Sequence, residues 1–285
     1  MRSTINARVL EKIVSHQRSL GLKYWAKGLG YERCAELSWV IEHLEPRFRE
    51  KLRYLDIGTG ESPLPTFLRA RTGWDISCLD KCAWVRKQRT FIRGMNGAAG
   101  PAERFQVIEE NLLETNLPEE SFDVITSISV IEHFEGATDA EAMKATARLL
   151  KPGGTLILTT LVNEHFFAEF YLQRAVYGEH YNGKPVYYQR HYDVNGIAQR
   201  LIAPSGLIEK QRVYFGDYGF QCFEILLQAP KLLAALYIWI KPRLAKTFLS
   251  YRTYPVSRKN MRMNTASGLI LVLEKPTAAR NGGIS

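Results

Sequence analysis

The chain is poor in the features that most quickly assign a protein to a class. It has only four cysteines among 285 residues, Cys34, Cys78, Cys82 and Cys222. Their spacing matches no zinc pattern, and with no secretory signal in view they read as reduced, buried thiols rather than a disulfide framework. No apolar run approaches the ~20 residues a membrane span requires. Residues 1–20 lack the apolar core of a signal peptide, so a leading helix and a cytoplasmic location are expected. There is no Pro-Cys dipeptide, which excludes the cytosine-C5 type of nucleophile, and no Gly-Lys-Ser/Thr, which excludes a P-loop. No repeat or low-complexity tract is visible. At this length one α/β domain with insertions, or a core domain with a small cap, can bury a full core.

What is present begins with Tyr54-Leu-Asp-Ile-Gly-Thr-Gly-Glu-Ser-Pro-Leu-Pro65. Tyr54 to Ile57, β-prone and apolar except for Asp56, run into Gly58 and Gly60, which allow a tight turn and a close approach of backbone to a ligand. Pro63 stands where a dinucleotide fingerprint requires its third glycine, so pyrophosphate cradling is disfavoured. Leu64 to Arg71 can form a helix, and Asp75 to Leu79 a second strand ending at Asp80. An acid at that place, about 20 residues past a glycine turn, is positioned to accept hydrogen bonds from ribose hydroxyls. A third strand at Phe105–Glu109 is followed by Asn111. Phe122 to Ile128 reads as a strand buried on both faces. Leu150-Lys-Pro-Gly-Gly154 reads as a helix end and turn before a strand at Thr155–Thr160. Leu207–Tyr214 and Gly268–Glu274 supply a sixth and a seventh.

The four motifs D-x-G-x-G (Asp56, Gly58, Gly60), Asp80 after the second strand, S-F-D-V-I followed by Ile131-Glu-His133, and L-K-P-G-G stand in an order that resembles the class I S-adenosylmethionine methyltransferases, especially their small-molecule branch. The resemblance covers roughly residues 53–160, and Arg190-His-Tyr192 extends it. It implies an α/β fold with a doubly wound, mostly parallel seven-stranded sheet and helices on both faces, and S-adenosylmethionine as cofactor, released as S-adenosylhomocysteine. It also implies that Asp56, Gly58 and Gly60 line the methionine portion, Asp80 holds the ribose and Asn111 faces the adenine amino group. Ser62 and Asn111 depart from the family's usual glycine and aspartate. An Asn oxygen still accepts from an amino group.

The implied reaction is methyl transfer to a small or amphipathic organic acceptor. Such an in-line displacement needs orientation more than acid–base chemistry, up to ~7–11 kcal/mol of barrier. If the acceptor is a hydroxyl, His133, His165 and His191 are the candidate bases by position, His133 foremost because it follows the fourth strand at the ligand-binding end of the sheet. Other readings are a non-catalytic binding protein on the same fold, an RNA or protein methyltransferase, or an NAD-dependent oxidoreductase, which Pro63 opposes. Nucleic acid is disfavoured because Ser127-Ile-Ser-Val130 replaces the N/D-P-P-Y/F stretch of exocyclic-amine methylation.

Two domains of organisation are expected: residues 1–50 as an N-terminal helical cap, with Tyr31 to Val40 covering the cofactor, and 51–285 as the methyltransferase domain, with insertions at about 161–192 and 216–265. The first insertion holds nine of the 27 Phe and Tyr residues, which suits a cap over an organic acceptor. Net charge is +9, and from Lys241 to Arg262 seven basic residues occur with no acid, directly after the apolar run Leu232–Ile240. Such a pairing fits peripheral contact with an anionic membrane through 232–262, or a buried helix followed by a solvated basic loop.

Overall fold

The structure is a computed structural model that describes residues 2–95, 102–163, 167–177, 181–217, 222, 231–254 and 267–277. His165, Phe166 and the basic residues Arg258, Lys259 and Arg262 lie outside the described residues.

A nine-stranded sheet organises the chain. Its strands are β1 (Arg2–Thr4), β2 (Arg53–Ile57), β3 (Asp75–Asp80), β4 (Phe105–Glu109), β5 (Phe122–Ile128), β6 (Leu150–Val162), β9 (Ile208–Asp217), β10 (Leu249–Arg252) and β11 (Ser267–Glu274). β7 (Ala168–Leu172) and β8 (Val186–His191) form a separate antiparallel hairpin within the aromatic insertion. The order across the main sheet is β1-β10-β9-β11-β6-β5-β2-β3-β4. β4, β3, β2, β5 and β6 pair in parallel, and β11 inserts antiparallel between β6 and β9. The seven strands expected from the sequence are therefore present, and β1 and β10 extend the sheet beyond them.

Alternation along the strands builds two cores, as a sheet covered on both faces requires. Tyr54, Ile76, Val124, Ile157 and Ile270 face α1 (Ala7–Ser19), α3 (Tyr31–Leu44) and α4 (Leu64–Arg69). Their neighbours Leu55, Leu79, Ile125, Leu156 and Leu269 face α6 (Thr138–Leu149) and α7, a continuous helix made of Val194–Gly196, Ile197–Ile202 and Ala203–Ser205. Three further α-helices are α2 (Leu22–Lys27), α5 (Lys87–Gly94) and α8 (Lys231–Phe248). Ile13, Leu37 and Ile41 of the first fifty residues share one core with Tyr54 and Phe67. α1 starts where its sequence provides a cap: the Asn6 side chain accepts from the amides of Arg8 and Val9.

One local expectation is corrected. Leu150 to Gly154 is not a turn ahead of the strand but the beginning of β6 itself. α6 stops at Leu149, Gly153 and Gly154 bond to the backbone of Lys275, and the irregularity appears as a register shift against β5 between Phe122 and Val124.

Candidate functional site

The cavity at the carboxyl ends of β2, β3, β4 and β5 has a volume of about 510 Å³. Its first wall is the glycine turn. β2 ends at Ile57, and the chain reverses through Gly58 at φ +66° and Gly60 at φ +49°. Both are left-handed conformations that glycine adopts without a Cβ penalty. At Gly58 space is also decisive, since a Cβ there would stand 2.3 Å from Val130 Cγ2.

Asp80 anchors this turn from the end of β3. Its Oδ2 accepts from the Gly60 amide at 2.9 Å and from Trp84 Nε1 at 3.3 Å, and its Oδ1 accepts from the Cys82 amide at 2.8 Å. A carboxylate has about four lone-pair sites, so these three bonds leave acceptor capacity on the cavity side. Gln88 on α5 closes the turn from behind: its buried amide donates to the carbonyls of Gly60 at 3.1 Å and Ser62 at 2.8 Å. Ser62 fits this arrangement, its hydroxyl accepting from the Leu64 amide at the start of α4.

Asn111 lines the cavity with Leu112, Leu113 and Trp84. Its Oδ1 accepts from the Leu113 amide at 3.2 Å, an Asx turn that fixes the side chain against the backbone. Asp56 is placed differently from the expectation. It is 2% exposed and lies behind the turn rather than in the cavity wall. Thr126 Oγ1 donates to its Oδ1 at 2.5 Å, and Tyr54 OH lies 2.5 Å from that same hydroxyl. Burial raises its pKa to about 7, against the opposing pull of Thr126 and Thr59. The reason is register: Asp56 pairs with Cys78 and Thr126 within the sheet, one residue before the chain leaves it.

His133 does line the cavity, on the short turn Ile131–His133 after β5. Its Nδ1 lies 2.6 Å from the carbonyl of Tyr188 and 2.5 Å from Tyr177 OH. A carbonyl only accepts, so Nδ1 carries the proton and Nε2 keeps its lone pair. Burial lowers the imidazole's pKa to about 4, with Arg33 and Lys81 adding to the shift and the Tyr188 bond opposing it. The ring is neutral at pH 7.

Arg190-His191-Tyr192 takes a different part. Arg190 is fully buried and donates to Asp139 Oδ2 at 3.0 Å, to the Gly136 carbonyl at 3.0 Å and to the Phe134 carbonyl at 2.5 Å. Tyr192 OH donates to the same Asp139 oxygen, and Tyr187 OH donates to the Glu132 carbonyl. The segment is a buckle that holds the turn carrying His133. His191 itself is fully buried, with Nε2 against Gln189 and Phe170 packed on the ring at 4.4 Å, and it does not line the cavity.

Sequence reasoning passed over the acid pair behind the cavity. Glu36 on α3, 1% exposed, accepts from Ser129 at 2.7 Å and Thr159 at 2.6 Å and pairs with Arg33, which also donates to Ser129 at 2.6 Å. Burial raises the Glu132 carboxyl to about 8. Ser129, itself a cavity residue at φ +50°, thus ties helix α3 to the site. The expected cover at Tyr31 to Val40 reaches the site through Arg33 and Glu36, both bonded to Ser129. The aromatic insertion reaches the cavity through Tyr177, Val186 and Tyr187, while Phe167, Tyr171 and Tyr181 face solvent.

A family model described as a methyltransferase domain matches residues 29–194. A ubiquinone biosynthesis O-methyltransferase of Xanthomonas oryzae pv. oryzae is 33% identical over 109 residues, 38% of this chain and 43% of that protein. The matched stretch therefore spans less than half of that relative. Two solved structures share the fold at low identity. A Burkholderia thailandensis 1,6-didemethyltoxoflavin-N1-methyltransferase with bound 1,6-didemethyltoxoflavin and S-adenosylhomocysteine is 14% identical, with a TM-score of 0.51 over 95% of this chain and 88% of that one. A Methanosarcina mazei SAM-dependent methyltransferase is 12% identical, with a TM-score of 0.51 over 82% and 97%.

Proposed function

The chain belongs to the methyltransferase-domain family, and from that premise we propose that it transfers a methyl group from S-adenosylmethionine to a small or amphipathic organic acceptor. The observation that carries the reading is the coupling of Asp80 to Gly60. One carboxylate holds the glycine turn in its left-handed form and keeps acceptor capacity beside a cavity lined by Trp84, Leu112 and Leu113. The residues present suit the group: a cradle where backbone must approach closely, an acid with acceptor capacity left for a ribose hydroxyl, and an apolar slot with Asn111 at its edge for a purine.

In this reading Gly58 and Gly60 admit the methionine portion, Asp80 holds the ribose and Asn111 accepts from the adenine amino group. Bound S-adenosylmethionine supplies a methyl on a sulfonium, so the residues have chiefly to orient the acceptor. His133 is the proposed general base for a hydroxyl acceptor, because the Tyr188 carbonyl leaves its Nε2 free to take the proton. Asp56 holds strand to strand and does not meet the ligand. The acceptor would enter between Tyr177 and Tyr187 of the aromatic insertion. Among the described residues no helix is long and apolar enough to cross a membrane, and peripheral contact through 232–262 belongs to the same proposal.

Calorimetric titration with S-adenosylmethionine and S-adenosylhomocysteine tests the reading. Saturable binding that Asp80→Ala abolishes and His133→Gln leaves intact is expected, with turnover in His133→Gln lowered about 10²–10⁴-fold for a hydroxyl acceptor. Absence of binding by the wild type at millimolar ligand would overturn it.

A further inference from the structure

Away from the cavity, two tryptophans from distant parts of the chain meet on the surface. Trp25 on α2 and Trp239 on α8 pack edge to face with centroids 4.5 Å apart, yet each remains 44% exposed. Leu22, 81% exposed, stands one turn before Trp25, and Ile240, 39% exposed, follows Trp239. Two indole rings thus share one exposed apolar surface, with exposed Leu22 and Ile240 beside them in the chain, which singly scattered surface apolar residues do not form.

Cations predominate around them. Arg18 sits over the Trp239 ring at 4.5 Å. Trp239, Arg243 and Lys246 stand at i, i+4 and i+7 on α8, so they share one stripe, with both cations exposed. The opposite stripe is the inward one, where Ala245 is fully buried. No acid occurs anywhere between Glu224 and Glu274. On α2, Lys23 and Lys27 are held by Glu61, which lies in the glycine turn directly after Gly60.

We infer that Leu22, Trp25, Trp239 and Ile240, framed by Arg18, Arg243 and Lys246, form a docking surface for an anionic phospholipid bilayer. Half-exposed indole rings with cations one and two turns away match the layering of a bilayer boundary, where aromatic rings sit at headgroup level and Lys and Arg meet anionic lipid. A second copy of the chain is the poorer occupant. Each chain carries +9, and a two-fold contact would set these cations against their own copies. The inference builds on the proposed membrane contact through 232–262, adds α2 to it, and is independent of methyl transfer. It places the lipid surface beside the cofactor turn, because Glu61 joins α2 to that turn.

Cosedimentation of the full chain with phosphatidylcholine vesicles, with and without phosphatidylglycerol, tests it. Pelleting only with the anionic vesicles, weakened by salt, is expected. Leu22→Ser with Trp25→Ser should lower partitioning at least ~10-fold, the low end for keeping large apolar side chains out of the interface. Arg243→Gln and Lys246→Gln should each lower it about fivefold. Cofactor calorimetry on the same variants should match the wild type, so vesicle binding and cofactor binding can fail separately. Pelleting unchanged in the Leu22/Trp25 variant, equal pelleting on neutral vesicles, or concentration-dependent dimers lost in that variant would each overturn the inference.

Discussion

Replacing Gly58 by alanine tests the geometry of the glycine turn most directly. Two costs add. Alanine at φ +66° occupies the left-handed region, worth about 1–2 kcal/mol. The new methyl would also stand 2.3 Å and 2.5 Å from the two Cγ atoms of Val130, well inside the ~3.5–4.0 Å of an ordinary carbon contact. Val130 or the turn must therefore move by more than an ångström, and overpacking of this kind costs about 1–3 kcal/mol. The expected loss of stability is about 2–5 kcal/mol. Relieving the clash from the other side separates the two terms: in Gly58→Ala/Val130→Ala the two Cγ contacts disappear, leaving the backbone part and a milder contact with the Cβ of residue 130 at 3.0 Å. A double-mutant cycle by urea denaturation should show a coupling of about 1–3 kcal/mol in favour of the double variant. Calorimetry should show cofactor affinity lost in the single variant and partly restored in the double. Additive effects, or a Gly58→Ala protein as stable as the wild type, would refute the claim that this turn needs both the angle and the space.

The remaining predictions concern buried charge. Asp56 titrates near pH 7 in the folded chain and near 3.8 when unfolded, so its contribution is fully present below about pH 4 and is lost as pH rises through 7. Asp56→Asn should therefore gain stability relative to the wild type between pH 5 and 8, by at most about 4 kcal/mol. His16, His133 and His191, each lowered to about 4 by burial, tilt total stability the other way, so the variant difference measured by thermal melts is the quantity to read. A difference independent of pH would refute the assignment. Arg190→Met leaves Asp139 buried with one partner fewer and should cost about 3–5 kcal/mol in chemical denaturation, whereas a loss under ~1 kcal/mol would show that the buckle is not needed.

Much of the sheet was legible because its strands are bounded by residues with strong local preferences. Gly58 and Gly60 end β2, and Leu117-Pro118 precedes β5, whose limits at Phe122 and Ile128 match the apolar run. β1 and β10 were not legible. They are short, form one end of the sheet, and pair with each other across some 250 residues of sequence, a partnership no local pattern announces. The candidate site divides the same way. Asp80 and Asn111 could be placed because their position follows from strand ends, and both line the cavity. Asp56 faces away because its direction depends on where the strand stops, and a single residue decides it. Gln88 was invisible: an amide on an amphipathic helix looks like surface until the fold points it at two carbonyls. Arg190-His-Tyr192 was singled out correctly as a unit, but only the three-dimensional pairing with Asp139 shows that it supports a turn rather than contacting a ligand.

β11 lies between β6 and β9 in space yet follows both in the chain. During synthesis, at ~5–20 residues per second, the stretch from Asp217 to Ser267 takes roughly 2.5–10 s to emerge. Throughout that interval β6 shows the ribosome's surroundings a bare, apolar edge of the kind that pairs with other chains. The parallel half of the sheet, which carries the glycine turn, Asp80 and Asn111, can form in that time and wait. The nascent protein would then possess this cavity before its sheet is closed, and a ligand bound there early would stabilise it during the seconds when it is most open to chaperones and to its own copies.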